Sequence, residues 1–326
     1  MYQVAVVVLN YNRSQDTINC LDSVLASDAP PAWIIVVDNA SSDDSLHQLS
    51  LWAKSAEKYL MSEGASRLAN KPFMAQYRVS AEPYPCPEEG SVVVVCNSVN
   101  KGYAAGNNVG IHLALGWGAD AVWILNNDTI VDKSALGAMR DRLFCSERPG
   151  LCGSMVCYSD NRQIVQCMGG GMSQIWTGMS KLCGNMMSVE DAKKVSYDVV
   201  EAQINFIYGA SVMASRKFIT TVGLMDERFF LYCEEQDWAC SAKGQFDLVY
   251  ASSALVYHKE GATTGFSASK ISLRSLYLLV RSRILLTAKH KPLALPIVLT
   301  AIFFVGVRLV WRRVRLGIYG KRFVRN

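Results

Sequence analysis

The chain of 326 residues has no Asp or Glu after Glu260. Gly261 to Asn326 carries 13 Lys and Arg, while the rest holds 20 basic against 28 acidic side chains. A mildly acidic body therefore precedes a strongly basic tail, which points to an anionic partner, either a nucleic acid or a membrane surface. Nucleic acid is disfavoured, because the tail has no recognisable binding motif and no aromatics interleaved with its basic residues. Cys-x-x-Cys is missing, and His47, His112, His258 and His290 do not fall at zinc spacings with the ten scattered cysteines. A structural zinc module is thereby disfavoured, and free thiols in a reducing cytosol are expected. No secretory leader is expected, since the chain opens directly into a strand-like run. A spanning helix needs about 20 apolar residues, whereas the uncharged run from Pro292 to Val307 has 16 and contains Pro296. The full G-x-G-x-x-G spacing and the Lys-Ser/Thr of a P-loop are also missing, which disfavours dinucleotide binding and ATP hydrolysis. No internal repeat stands out.

What is present is an ordinary globular composition, 50% hydrophobic and 19% charged, enough for a sizeable core in one large domain or two smaller ones. Val4–Asn12 and Trp33–Asp38 read as buried strands. Helical spacing over Ser14–Ser27 and Ser41–Lys58 follows them. This alternation predicts a parallel sheet with helical crossovers. Met61–Gly90 breaks the rhythm with Pro72, Pro83, Pro85 and Pro87, and reads as an insertion or long surface loop. Ser91–Ile111 restores it with a strand, a Gly/Asn-rich turn and a helix, and Ala121–Val131 reads as a fourth strand. Ser134–Cys145 predicts a helix, and Phe206–Gly244 a strand, a short helix, a loop and a helix from about Glu234. One or two strands are expected after Asp247.

Ligands of open α/β sheets bind beyond the carboxyl ends of the strands. Four early strands here end in hydrogen-bonding groups: Asn10-Tyr11-Asn12, Asp38-Asn39, Asn97 to Asn100, and Asn126-Asn127-Asp128. Each is also an ordinary turn sequence, and the competing reading of Asp38 is a helix or turn cap. Together they suit a nucleotide, with Asp38 accepting from a base N–H or a ribose hydroxyl. The segment NKGYAAGNN, which includes Asn100, Gly102 and Asn107, has small residues that let backbone approach a ligand. Asp128, a hard carboxylate at a strand end, suits Mg²⁺ or Mn²⁺ beside a diphosphate. His258 follows another strand, where it is either a structural histidine or an imidazole for the same ion. Glu234, Glu235 and Asp237 crowd one helix start. Such acids favour a helix N-terminus, and their mutual repulsion also raises pKa toward that of a general base.

In order along the chain, VVVLNYN, VVDNASSDDS, NKGYAAGNNVGI, WILNNDTIV, FIYGASVMASRKFITTVGLMDERFFLYCEEQDW and VYHKEGATTG resemble the inverting family 2 glycosyltransferases, and within them the rhamnosyltransferase-like branch. The resemblance spans roughly residues 3–285 and implies an α/β GT-A fold. In that fold a Rossmann-like, nucleotide-sugar-binding half with a mixed sheet (1–132) is fused to an acceptor half (133–265). Residues 266–326 would form a basic, apolar helical tail. The resemblance also implies a nucleoside-diphosphate sugar donor, dTDP- or UDP-linked, and a divalent metal, Mg or Mn. The family's Asp-x-Asp becomes Asn126-Asn127-Asp128, with Asp128 and His258 on the metal and Asp38 on the nucleotide. Glu235 takes the position of the catalytic base, one methylene longer than the family's Asp, with Glu234 and Asp237 as supporting acids. A single in-line displacement with inversion is implied.

The tail reads either as a core helix on the domain or as an interfacial segment. In the second case Lys289, Lys291, Arg308, Arg312, Arg313 and Arg315 would meet anionic lipid. An interfacial tail fits a lipid-linked saccharide acceptor, surface polysaccharide or O-antigen assembly, and a cytoplasmic enzyme peripheral to the inner membrane. The competing readings are a nucleotidyltransferase, for which NYNRSQD is a poor nucleotide loop, and an inert nucleotide-sugar-binding scaffold.

Overall fold

A computed structural model describes residues 2–62, 74–78, 86–259 and 272–304 of the chain. Its first half alternates strands and helices: β1 (Val4–Asn10), α1 (Ser14–Leu25), β2 (Trp33–Asp38), α2 (Ser45–Ser62), β3 (Met74–Arg78), β4 (Ser91–Cys96), α3 (Tyr103–Gly116) and β5 (Ala121–Asn126). These strands pair in parallel in the order β3-β4-β2-β1-β5. The core explains why they read as unbroken apolar runs. Ala5 and Val7 of β1 join one buried cluster, and Val4, Val6 and Val8 join another on the opposite face. Strands buried on both faces have no polar side to alternate with. On the second face α1 buries Thr17, Cys20, Leu21 and Val24, one stripe at helical spacing. On the first face α3 lies against β1. There a Cβ at Gly106 would come 2.5 Å from Leu9 Cδ1, and one at Gly110 would come 2.5 Å from Val7 Cγ1.

β3 corrects the expectation of a loop across 61–90, since this short edge strand pairs in parallel with β4. An edge strand is held by backbone hydrogen bonds along one side, so a hydrophobic alternation is not required to form it. Much of the remaining insertion lies outside the described residues.

The second half follows as β6 (Thr129–Val131), α4 (Ala135–Phe144), β7 (Pro149–Tyr158), β8 (Val165–Met168), β9 (Gly170–Gln174), β10 (Met179–Leu182), α5 (Val189–Ala192), α6 (Tyr197–Glu201), β11 (Phe206–Ile207), β12 (Ser211–Ser215), α7 (Arg216–Val222), α8 (Glu234–Ser241), β13 (Asp247–His258) and α9 (Leu273–His290). The sheet continues from β5 as β12-β7-β13-β6, with β12 antiparallel to β5 and β7, and β6 antiparallel to β13. β9, β10 and β11 form a separate small antiparallel sheet. Ala121–Val131 is therefore not one strand but two, with a corner at Asn127-Asp128. That corner requires a curled sheet. Four strand spacings of about 4.8 Å separate β5 from β6 across the sheet, about 19 Å if it were flat. The three Cα steps from Asn126 to Thr129 reach at most about 11 Å. Curling brings the far edge back and sets the Asn-Asn-Asp corner beside the end of β13.

α9 docks on α8 through buried charge. Asp237, almost fully buried, pairs with Lys289 Nζ and His290 Nε2, each at 2.8 Å. Residues 295–304 continue as helix after a short turn at Pro292–Ala294. No helix among the described residues is long and apolar enough to cross a membrane. Residues 305–326, which hold four of the tail arginines expected at a lipid surface, and the boundary expected near 265 lie outside the described residues.

Candidate active site

A cavity of about 400 Å³ opens where the ends of β5 and β13 meet α8, α9 and the small sheet. Asn126, Asn127, Asp128, Glu234, Glu235 and His258 all line it. The ladder of β6 on β13 places His258 opposite Thr129, so the residue next to Asp128 is fixed by strand register. Lys259 N–H also donates to the Asp128 carbonyl at 3.0 Å. His258 Nε2 stands 3.3 Å from Asp128 Oδ1. Its Nδ1 lies 2.9 Å from Gln166 Oε1. With Nδ1–H donating to that amide oxygen, Nε2 keeps its lone pair toward Asp128. A proton on Nε2, or a cation held jointly by the imidazole and the carboxylate, satisfies this pair. Neighbouring ligands of an octahedral ion with bonds of about 2.1 Å are roughly 3 Å apart, close to the separation found. Carboxylate plus imidazole suits Mn²⁺ or Mg²⁺, with a diphosphate completing the shell. No cluster of three His, Cys, Asp or Glu exists among the described residues, which would supply Asp128 and His258 as ligands.

Glu234 and Glu235 open α8 immediately after two left-handed residues, Tyr232 at φ 72° and Cys233 at φ 67°. Non-glycine residues in this region cost about 1–3 kcal/mol each and collect at functional sites. Here they turn the chain so that both glutamates face the cavity. Burial pushes the Glu235 carboxyl up to about 7. Burial and then the charge of Glu235 push Glu234 well above the usual carboxylate range, and its Oε2 has no hydrogen-bond partner. A carboxyl that titrates near neutrality is suited to take a proton at pH 7. Gly209 lies beneath it, where an added Cβ would sit 3.5 Å from Glu235 Cδ. Tyr103 O–H donates to the Gly209 carbonyl at 2.8 Å, and burial with the nearby acids keeps its phenol neutral.

Other residues expected at the site are engaged elsewhere and do not line the cavity. Both oxygens of Asp38 accept from Ser41, from its hydroxyl at 2.5 Å and its N–H at 3.0 Å, which is the turn-cap arrangement. Asn10 donates to Asp38 at 2.8 Å and accepts from the Thr17 hydroxyl at 2.7 Å. Asn100 accepts from Asn39 Nδ2 and from Gly102 N–H. Gly102, at φ 96°, admits the Phe230 backbone where a Cβ would collide with it, so its close approach is to protein. Asn107 donates to the Tyr103 carbonyl, and its Oδ1 is buried without a partner. Asp237 is bound to α9 as described. Sequence reasoning missed Gln166, Tyr103, Gly209 and the cavity face of α9. Gln166 carries no local signal, because only the pairing of β8 with β7 brings it to His258. The ten cysteines are free thiols.

Residues 5–64 match the family model described as glycosyl transferase family 2. No curated protein matches the chain. Among solved structures, GalNAc-T7 with UDP, GalNAc and Mn2+ is similar at 15% identity and TM-score 0.56, over 86% of this chain and 47% of that one. The mannosyltransferase PcManGT from Pyrobaculum calidifontis, in complex with GDP-Man and Mn2+, is similar at 15% identity and TM-score 0.54, over 98% of this chain and 82% of that one. S. aureus TarS is similar at 14% identity and TM-score 0.50, over 89% of this chain and 40% of that one. The chain thus spans about half or less of GalNAc-T7 and TarS. At these identities the likeness shows the fold, which is the GT-A arrangement of a curled mixed sheet. The family match and the fold together support a glycosyltransferase.

Proposed function

We propose that the chain is a metal-dependent, inverting glycosyltransferase. In this reading it moves a sugar, rhamnose by the sequence resemblance, from a dTDP- or UDP-linked donor to a hydroxyl of a lipid-linked saccharide in surface polysaccharide or O-antigen assembly. The observation that carries it is the sharing of one cavity by the Glu234–Glu235 pair, whose carboxyls burial pushes up, and the Asp128–His258 pair. Glu235 takes the proton of the acceptor hydroxyl as its oxygen forms a bond to the anomeric carbon and the bond to the diphosphate breaks. Glu234, whose carboxyl is pushed well above the usual range by burial and by the charge of Glu235, resists ionising beside the base. Gln166 fixes the His258 ring so that Nε2 faces Asp128. A divalent ion bound there supplies charge neutralisation for the leaving diphosphate.

The lipid-facing part is supported by helix 295–304. It buries Val298 and half-buries Leu295, Ala301 and Ile302, yet Ile297, Leu299, Phe303 and Phe304 are exposed on its other side. A helix apolar all round needs a second apolar neighbour. With no acid anywhere in 272–304, an anionic bilayer at the cytoplasmic face of the inner membrane meets that need. Sedimentation with vesicles of anionic phospholipid tests it. Wild type should pellet and Phe303→Asp/Phe304→Asp should stay in solution, and equal pelleting would contradict it.

The catalytic reading is tested with Glu235→Gln, which should lower transfer at least a thousandfold and leave donor binding within a few fold. Near-normal turnover by this variant would refute the assignment. An inert scaffold would bind donor and never release free nucleotide from it. A nucleotidyltransferase would release pyrophosphate from a nucleoside triphosphate.

A further inference from the structure

One cation in the cavity has no task in this mechanism. α9 turns Leu279, Arg283, Leu286 and Thr287 toward the cavity, the spacing of one helical stripe. Neighbouring basic residues of α9 are engaged with protein: Arg281 Nη1 donates to the Arg228 carbonyl at 2.7 Å, and Lys289 pairs with Asp226 and Asp237 at 2.8 Å each. Arg283 is half-buried and makes no ion pair among the described residues, although Glu234 and Glu235 line the same cavity. Its charge reaches Cys233, at the start of α8, where it opposes the effect of burial on the thiol. The guanidinium therefore belongs to the α8 side of the cavity. The Asp128–His258 pair lies at the β5–β13 corner.

We propose that Arg283 forms an oxyanion subsite that works without metal and takes a phosphate of the acceptor. A guanidinium fork matches phosphate through two parallel N–H···O bonds, and a half-buried cation without a counter-ion favours such a ligand. The raised pKa values of both glutamates leave the cavity less negative at neutral pH than its three carboxylates alone suggest. The donor's diphosphate has its own place at the Asp128 corner. The acceptor must bring its hydroxyl to Glu235 on α8, and a carrier lipid reaching the cavity from the apolar face of 295–304 would pass along α9. A saccharide joined to lipid through phosphate presents both groups this subsite needs. The identity of the acceptor rests on the proposed glycosyl transfer, whereas the anion site itself does not.

The test separates the two. Inorganic pyrophosphate is titrated calorimetrically into the full chain in EDTA, where the Asp128 corner holds no cation. Wild type and Asp128→Asn should bind it alike, Arg283→Gln at least tenfold more weakly, and Arg283→Lys in between. Equal binding by Arg283→Gln, or none by wild type, would overturn the subsite whether or not the chain transfers sugar. Geranyl diphosphate should compete with pyrophosphate while geraniol does not, and UDP or dTDP with Mn²⁺ should bind Arg283→Gln as well as wild type. Loss of nucleotide–Mn²⁺ binding in Arg283→Gln, at an unchanged melting temperature, would assign the anion to the donor and overturn the acceptor proposal.

Discussion

Replacing Glu235 by Gln should stabilise the folded chain at alkaline pH while destroying its activity. The carboxyl is raised from 4.5 to about 7 in the folded state, chiefly by burial. Between those two values the native protein binds more protons than the unfolded chain, so stability falls as pH rises through that window. At about 1.4 kcal/mol per pKa unit, the cost above pH 7 is at most about 3 kcal/mol, because Glu235 is only half-buried and shares the shift with Glu234. Gln has the shape of the protonated acid and never ionises. Wild type and Glu235→Gln should therefore match near pH 4, diverge from about pH 5, and differ most at pH 8. One kcal/mol moves the melting temperature by roughly 2–4 °C in a domain of this size, so calorimetric melting across pH 4–8 resolves the effect. Parallel profiles would show that the native carboxyl is solvated, and the account of Glu235 as a base tuned by burial would fall.

Asp237→Ala leaves Lys289 and His290 facing a vacated buried site, and should cost about 3 kcal/mol. Thermal melting reads it, and an unchanged melting temperature would mean that the α8–α9 ion pairs contribute nothing. Gly110→Val drives a side chain into Val7 on β1, and should cost about 1–3 kcal/mol through overpacking. A variant as stable as wild type in urea would show that α3 can shift off the strand. Gln166→Leu removes the partner of His258 Nδ1 and should weaken Mn²⁺-dependent nucleotide binding about tenfold or more, with no effect expected on pyrophosphate binding in EDTA.

The parallel half was legible because β1, β2, β4 and β5 bury both faces and leave continuous Val/Ile runs between recognisable helices. The curl was not, because Thr129-Ile130-Val131 resumes the apolar pattern of β5 after only two residues, and only long-range pairing with β13 shows that the chain has turned a corner. β3 escaped notice because edge pairing leaves no hydrophobic period in sequence. At the site, Asp128, His258, Glu234 and Glu235 line one cavity, each presented near a strand end or helix start. Asp38 and Asn10 illustrate the opposite case. Their strand-end positions suit a ligand, yet Ser41 and Thr17 lie within reach and take up their hydrogen bonds. Local sequence does not distinguish a carboxylate waiting for a ligand from one capping its own turn. Arg283 and Gln166 owe their positions to tertiary packing alone.

In the proposed function, Asp128 and His258 hold a cation for a nucleoside diphosphate. The most direct measurement is the thermal shift of wild type and Asp128→Ala with dTDP, UDP, GDP and ADP, each with and without Mn²⁺, since a ligand bound only to the folded state raises its stability. Wild type should show a Mn²⁺-dependent shift with dTDP or UDP, lost in a folded Asp128→Ala. A shift that persists in Asp128→Ala, or no shift from any nucleotide with folded wild type, would contradict it.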